Sequence, residues 1–490
     1  MREEIRFLLG HEARVVKALD PTMTVLDYLR QEAGLVGTKE GCNEGDCGAC
    51  TVVRVRPREG RLHYEALNAC IHFLPALDGC QLLTVEHLAA PDGALHPVQQ
   101  AMVDCHGSQC GFCTPGFVMS LFAMTRTRES VPSDAEIDDA LAGNLCRCTG
   151  YAPIARAARD AYGADPRRDH VTAREPDTQE ALGRLRDHVT LAFGRGPRRF
   201  FAPATVDALA DLLTAHPEAT IVAGSTDVGL WVTKELRRLG TVVFLGRIEE
   251  LAEVRETERA IEIGAGASYA DAAGALARHF PDMGEVIRRL GSVQIRNLGT
   301  IGGNIANGSP IGDSPPLLIA VGARLHLRQG KKRRRLPLED FFLDYGKQDR
   351  RPGEFVEKVV VPLPPAGSVF RAYKISKRFD QDISSVLGAF RLRFDGARIA
   401  EARVAYGGMA ATPKRAAAVE ACLTGAEWDE ATVARAMAAL EQDFTPISDW
   451  RASAGYRMQV AKNLLRRLYI ETSDPATETR LVGDGSLAHA

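Results

Sequence analysis

No uninterrupted apolar run in the 490-residue sequence approaches membrane-spanning length, and the first residues, Met1-Arg-Glu-Glu-Ile, lack the basic stretch leading into an apolar stretch that marks a secretory leader. A cytoplasmic protein with no membrane partner is therefore expected. Net charge is also nearly missing: 61 Lys and Arg stand against 63 Asp and Glu. Such a surface has no field for gathering a polyanion, which excludes nucleic acid as the expected partner. The one basic run, Lys331 to Arg335, sits between Leu325-His326-Leu327 and Leu336-Pro337-Leu338 and predicts the solvated turn of a hairpin. A dinucleotide fingerprint is incomplete as well. Gly264-Ala-Gly266 has no third glycine three residues on, so a turn between strands is expected there and no Rossmann fold.

What is present is cysteine, 11 residues in a chain expected to stay reduced, so tight cysteine spacings indicate metal or redox sites before disulfides. Cys42, Cys47 and Cys50 have the spacing C-x4-C-x2-C with Cys70 as a distant fourth, the plant-type ferredoxin arrangement. A loop that supplies three thiolates to two bridged irons must turn tightly and aim N–H groups at sulfur; Gly41, Gly45 and Gly48 give that freedom. A tetrahedral zinc site also uses four cysteines and is the alternative, although zinc favours paired C-x2-C knuckles. Cys110 and Cys113 precede a helix opened by Thr114-Pro115, and Cys146 and Cys148 precede one that begins near Pro153. Helix N-termini stabilise thiolates and the negative charge of a reduced cluster, and zinc is again the rival on spacing alone. Cys80, Cys105 and Cys422 match no ligand position and are expected to be buried thiols.

The chain is too long for a single core and should form roughly three or four domains. Strands are expected over 5–9 and 14–19, a helix over 24–32 with Thr24 as its cap, and four short helices over 96–105, 115–127, 134–141 and 154–162. Residues 164–198 read as an exposed linker, with one helix over 178–192. Strands alternating with helices between 200 and 365 indicate an α/β ligand-binding domain. Beyond it, a strand over 399–406 precedes helices over 413–423, 429–441 and 452–471. The expected fold is an α+β multidomain chain. Its parts are a ferredoxin-like β-grasp domain (1–84), a four-helix-bundle domain (85–163), a linker (164–198), a non-Rossmann α/β domain (199–366), a C-terminal α/β domain (367–475) and a mobile tail (476–490).

Two glycine-rich loops suit a pyrophosphate: Val222-Ala223-Gly224-Ser225-Thr226-Asp227-Val228, after a strand, and the run from Leu298 to Asp313, which offers Thr300, Gly303, Asn304, Ser309 and a carboxylate for a ribose hydroxyl.

The combination GCNEGDCGAC, CGFCTPG and GNLCRCTGY resembles the iron–sulfur region of the xanthine dehydrogenase and molybdenum hydroxylase family. AGSTDVG and IGGNIANGSPIGD resemble the FAD loops of its flavin domain, and the similarity continues through Tyr373 to Asp382. The resemblance implies two [2Fe–2S] clusters, one on Cys42, Cys47, Cys50 and Cys70 and one on Cys110, Cys113, Cys146 and Cys148. It implies FAD held by 222–228, Thr300, Gly303, Asn304, Ser309 and Asp313, with Val356 at the adenine and Lys374 at the isoalloxazine. Mammalian relatives carry Asn where this chain has Ser225 and an acidic residue where it has Gln381; the second change bears on access of NAD relative to oxygen. The similarity ends where the family's molybdopterin domain would start. It thus implies the small subunit of a bacterial-type xanthine dehydrogenase, passing electrons from a molybdopterin partner chain to FAD and NAD in a heterotetramer of two small and two large chains. The same subunit of an aldehyde or other N-heterocycle hydroxylase, and a stand-alone electron carrier, are the alternative readings.

Overall fold

The computed structural model describes residues 1–17, 20–165, 167–474 and 476–480. Two compact units divide it: residues 1–212, 218–249 and 291–299 form one, and 213–217, 250–290 and 300–490 the other. Among the described residues no helix is long and apolar enough to cross a membrane.

In the first unit a five-stranded sheet runs in the order Glu12–Val16, Ile5–Leu9, Gln81–Leu83, Thr51–Arg58, Arg61–Asn68. Alternation explains its inner face: Ile5, Phe7 and Leu9 are buried beneath Val25, Leu26 and Leu29 of the crossing helix. Thr24 caps that helix, its hydroxyl accepting from the Asp27 N–H at 3.0 Å, and the last turn widens into a π-turn over Tyr28–Glu32. Residues 18 and 19 of the expected second strand lie outside the described residues; the strand itself ends at Val16.

Four helices follow, Pro97–Asp104, Thr114–Thr127, Asp134–Leu141 and Ala152–Asp160, around a core that includes Phe117, Leu121 and Phe122. The stretch expected as a linker is folded instead. It carries helices His170–Ala173 and Glu175–Leu185, the second ending well short of residue 192, and strand Leu191–Arg195. That strand pairs with Arg198–Ala202 in a four-stranded sheet, and the Ala192 N–H donates to the Arg2 carbonyl at 2.9 Å. Part of the Arg- and Asp-rich composition of the 164–198 stretch forms ion pairs: Asp187 bridges Arg2 and Arg247 at 3.0 and 2.7 Å.

The second unit holds an entirely antiparallel sheet in the order Val254–Glu256, Ala260–Gly264, Phe355–Pro362, Arg324–Gln329, Lys332–Pro337. A Rossmann fold needs a parallel sheet, so its absence here agrees with the broken glycine fingerprint. The basic run only begins in the turn of its hairpin: the turn is Gly330 and Lys331, and Lys332 to Arg335 lie on the strand, where Arg333 and Arg334 pair with Glu357 and Glu354 at 2.9 and 2.7 Å. A second sheet, Ser368–Ile375, Val386–Asp395, Arg398–Gly407 and Lys414–Arg415, is covered by helices Ala417–Leu423, Glu430–Asp443 and Ala454–Ser473. Residues 413–416, expected to begin the first of these helices, include the short strand Lys414–Arg415 instead. Of the tail expected to be mobile, Arg480 is tied to Asp282 at 2.9 Å; residues 481–490 lie outside the described residues.

Candidate cofactor sites

The loop from Gly41 to Cys50 wraps inward because two of its glycines, Gly45 and Gly48, take left-handed backbone angles of +83° and +69°. A side chain at Gly41 would stand 2.7 Å from the Cys47 sulfur, so that position must stay bare. The loop thereby brings its thiols to Cys70, on the turn after strand Arg61–Asn68: the Cys50 and Cys70 sulfurs are 3.3 Å apart. Backbone N–H groups of Glu44 and Cys47 both point at the Cys42 sulfur, each at 3.4 Å. Contact with Cys47 and Cys70, aided by those N–H donors, holds the Cys42 thiol far below the ordinary range, while Cys47 and Cys70 are pushed up by sharing their protons with it.

The second set also assembles. Cys113 stands at the N-cap of helix Thr114–Thr127, and Cys146 and Cys148 precede helix Ala152–Asp160. Cys110 meets Cys148, and Cys113 meets Cys146. Burial first, then the neighbouring Cys146, pushes the Cys113 thiol up to about 12. Burial raises Cys146 too, but the Thr149 hydroxyl at 3.1 Å and N–H at 3.4 Å outweigh it and hold that thiol low. Among the described residues no three His, Cys, Asp or Glu side chains converge on a point able to hold one metal ion. In the first set Cys42 meets both Cys47 and Cys70, and Cys70 also meets Cys50, whereas the second set comes together as two pairs; each set gathers the four thiolates that a two-iron cluster uses. Of the three other cysteines, Cys80 and Cys105 are buried as expected, whereas Cys422 is half-exposed.

The first glycine-rich loop belongs to the first unit. Val222 ends strand Thr220–Val222, residues 223 to 227 turn, and Val228 opens helix Val228–Thr233. A Cβ on Gly224 would run into the Leu298 carbonyl and stand 2.9 Å from the Gly299 nitrogen, so only glycine lets these backbones meet. Ser225 is held at a φ of +63°, uncommon for a residue with a side chain. Its buried hydroxyl has no hydrogen-bond partner among the described residues, and burial alone pushes the Asp227 carboxyl up. A strained loop with an orphaned hydroxyl fits a phosphate-bearing ligand that would take that hydrogen bond. The other expected residues lie in the second unit. Thr300 caps helix Ile301–Asn307 by accepting from the Gly303 N–H at 3.0 Å, and Asn304 accepts from Ser314 at 2.7 Å. Asp313 is buried and fully engaged: Lys374 donates to one carboxylate oxygen and Ser384 to the other. Val356 is buried on strand Phe355–Pro362, in register with Leu327. Ser309 lies on the loop after Asn307, where its hydroxyl accepts from the Ile311 N–H at 3.4 Å.

Four family descriptions match in sequence along the chain: "2Fe-2S iron-sulfur cluster binding domain" over residues 10–74, "[2Fe-2S] binding domain" over 84–159, "FAD binding domain in molybdopterin dehydrogenase" over 193–364 and "CO dehydrogenase flavoprotein C-terminal domain" over 371–472. The xanthine dehydrogenase of Emericella nidulans is 34% identical over 95% of this chain and 38% of its own length. The xanthine dehydrogenase/oxidase of Gallus gallus is 30% identical over 91% of this chain and 38% of its own. The chain belongs to the molybdenum hydroxylase family. It contains the two [2Fe–2S] domains, the FAD-binding domain and the C-terminal flavoprotein domain of that family, and it spans under two-fifths of the length of those relatives. Among solved structures of the family, CO dehydrogenase from Hydrogenophaga pseudoflava superposes with a TM-score of 0.52 at 28% identity, covering 55% of this chain and 94% of that one. Quinoline 2-oxidoreductase from Pseudomonas putida 86 gives 0.51 at 25% identity, covering 56% and 97%.

Several polar residues near these candidate sites carry no signal in the sequence. Ser384, which secures Asp313, lies 71 positions from it, and Gln294, which meets Asn144 and Thr51, lies 150 and 243 positions from them. Such single polar residues become visible only when the fold brings them to their partners.

Proposed function

We propose that this chain is the electron-transfer subunit of a xanthine dehydrogenase, working with a molybdopterin-binding large chain in a cytoplasmic heterotetramer. Residues 1–84 and 85–163 are the two iron–sulfur domains on this reading, and 199–366 and 367–475 the flavin domain and its companion. The observation that supports it best is the assembly of each cysteine set with N–H and hydroxyl donors aimed at sulfur. When bound, the clusters relay single electrons and the flavin exchanges them in pairs with a nicotinamide. This chain's residues place and tune those groups. Cys42, Cys47, Cys50 and Cys70 hold one cluster and Cys110, Cys113, Cys146 and Cys148 the other, the donors on Cys42 and Cys146 favouring their thiolate forms. Val222 to Val228, Thr300, Gly303, Asn304, Ser309, Asp313, Val356 and Lys374 hold the FAD, with Ser225 giving its free hydroxyl to phosphate and the Lys374–Asp313 pair fixing a cation in a dry setting.

The test is turnover by the purified chain with and without its partner. Alone, it should pass electrons from NADH to an artificial dye and leave xanthine untouched; with the molybdenum subunit, xanthine should reduce NAD. Xanthine oxidation by the chain alone contradicts the split-subunit reading. A reconstituted complex that ignores xanthine but oxidises an aldehyde or another N-heterocycle gives the substrate to the alternative.

A further inference from the structure

The two cysteine loops meet at a joint with no slack. The Leu145 N–H, beside Cys146, donates to the Cys47 carbonyl at 2.9 Å, and the Asn144 amide donates to the Gly48 carbonyl at 3.1 Å. Glycine makes the approach possible. A Cβ on Gly48 would strike the Gly143 carbonyl, one on Gly116 would strike the Gly48 carbonyl, and one on Gly143 would meet Gln294 and stand 2.6 Å from the Ser292 Cβ.

Into this joint comes one side chain from outside both cysteine domains. Gln294, on helix Val293–Leu298, is completely buried, and its amide nitrogen donates toward Thr51 at 3.2 Å, Ser120 at 3.2 Å and Asn144 at 3.1 Å. Each partner is tied to a cysteine ligand position: Thr51 follows Cys50, Asn144 stands two before Cys146, and Ser120 is on the helix capped by Cys113. The three partners also bond one another, since Ser120 donates to Asn144 at 2.6 Å and Asn144 toward Thr51 at 3.3 Å. Three acceptors around one amide make this a place for a donor, and a buried network of this kind loses specificity when one member is removed. The same helix ends at Leu298, whose carbonyl abuts Gly224 of the first flavin loop.

We propose that Gln294 is a positioning residue that sets the separation and mutual orientation of the two iron–sulfur clusters. The inference rests on the reading that both cysteine sets hold [2Fe–2S] clusters. It adds that their geometry is fixed by a residue of the flavin region and not by the cysteine domains alone. Losing the donor leaves Thr51, Ser120 and Asn144 to rearrange, and the loops bearing Cys50 and Cys146 are then free to move apart.

Magnetic coupling between the two clusters in the dithionite-reduced full chain reads that geometry directly. The unmodified protein should give two paramagnetic signals with additional splitting from their interaction. Gln294→Met, which keeps the shape and removes the donors, should weaken the splitting at unchanged iron content. Gln294→Glu, which places a carboxylate among acceptors, should do the same. Splitting that is unchanged in both Gln294 variants, or absent from the unmodified protein, overturns the proposal. Loss of iron from both variants also overturns it, by making Gln294 a folding residue only. Failure of the unmodified protein to show two signals removes the cluster reading itself.

Discussion

Replacing Gly48 with alanine probes the tightest point between the two cysteine loops. Its backbone sits at φ +69°, a conformation that costs a residue with a Cβ about 1–2 kcal/mol. The added methyl would stand 2.6 Å from the Asn144 amide nitrogen and 2.9 Å from the Asn144 Cα, with the Gly143 carbonyl closer still. Ordinary contacts of this kind lie near 3.5–4.0 Å, so the two loops must separate, and forced overpacking costs roughly 1–3 kcal/mol. The sum is roughly 2–5 kcal/mol. Separation also strains the bonds that Gly48 accepts from Thr51 at 2.7 Å and Asn144 at 3.1 Å. Gly60 is the control, because it has a φ of +76° and a methyl added there would meet nothing within 4 Å, so its alanine variant carries only the conformational cost. The assay is the apparent thermal midpoint of the purified chain, followed by loss of visible iron–sulfur absorbance. Gly48→Ala should fall well below Gly60→Ala. Equal midpoints would refute the claim that the glycines are there to let the loops meet.

Other outcomes follow from other parts of the molecule. Lys374→Met strands the buried Asp313 carboxylate with Ser384 as its remaining donor, so stability should drop by about 3–5 kcal/mol in denaturant unfolding, and an unchanged midpoint would show that the pair is not a buried ionic contact. Burial raises the Glu471 carboxyl, but Thr479, Arg480 and Arg467 outweigh it and hold the group at about 2, below its usual 4.5. Because the depressed value belongs to the folded state, the stabilisation is present above pH 4.5 and fades as pH falls toward 2. Glu471→Gln should therefore flatten the acid limb of the stability profile, and an identical acid limb would contradict the assignment. No His or Cys occurs in residues 222–228 or 300–313, so FAD should leave the protein on acid precipitation; flavin retained on the pellet would require a covalent link elsewhere.

How much of this was legible in the sequence depended on whether the controlling physics is local. The cysteine spacings and their glycines are local, and in the structure the thiols within each set lie near one another. Helix periodicity located the four-helix region because it is confined to each segment, and Pro115 and Pro153 marked two of the helix starts. The 164–198 segment misled because its charges look solvated in one dimension; Asp187 meets Arg2 only after the chain has folded. The basic run was rightly placed in an exposed hairpin, but most of it extends past the turn along the strand, where Arg333 and Arg334 find Glu357 and Glu354 across strands. Gln294 and Ser384 left no trace at all, because a polar residue reads alike whether it faces water or closes a buried network.

The central claim is that this one chain holds two [2Fe–2S] clusters in distinct settings, and metal analysis combined with electron paramagnetic resonance of the dithionite-reduced protein tests it most directly. The account predicts about four irons per chain and two distinguishable signals, as two such clusters require, with Cys47→Ser removing one signal and Cys146→Ser the other. Zinc in place of iron, about two irons, or a single signal abolished by either substitution would contradict it.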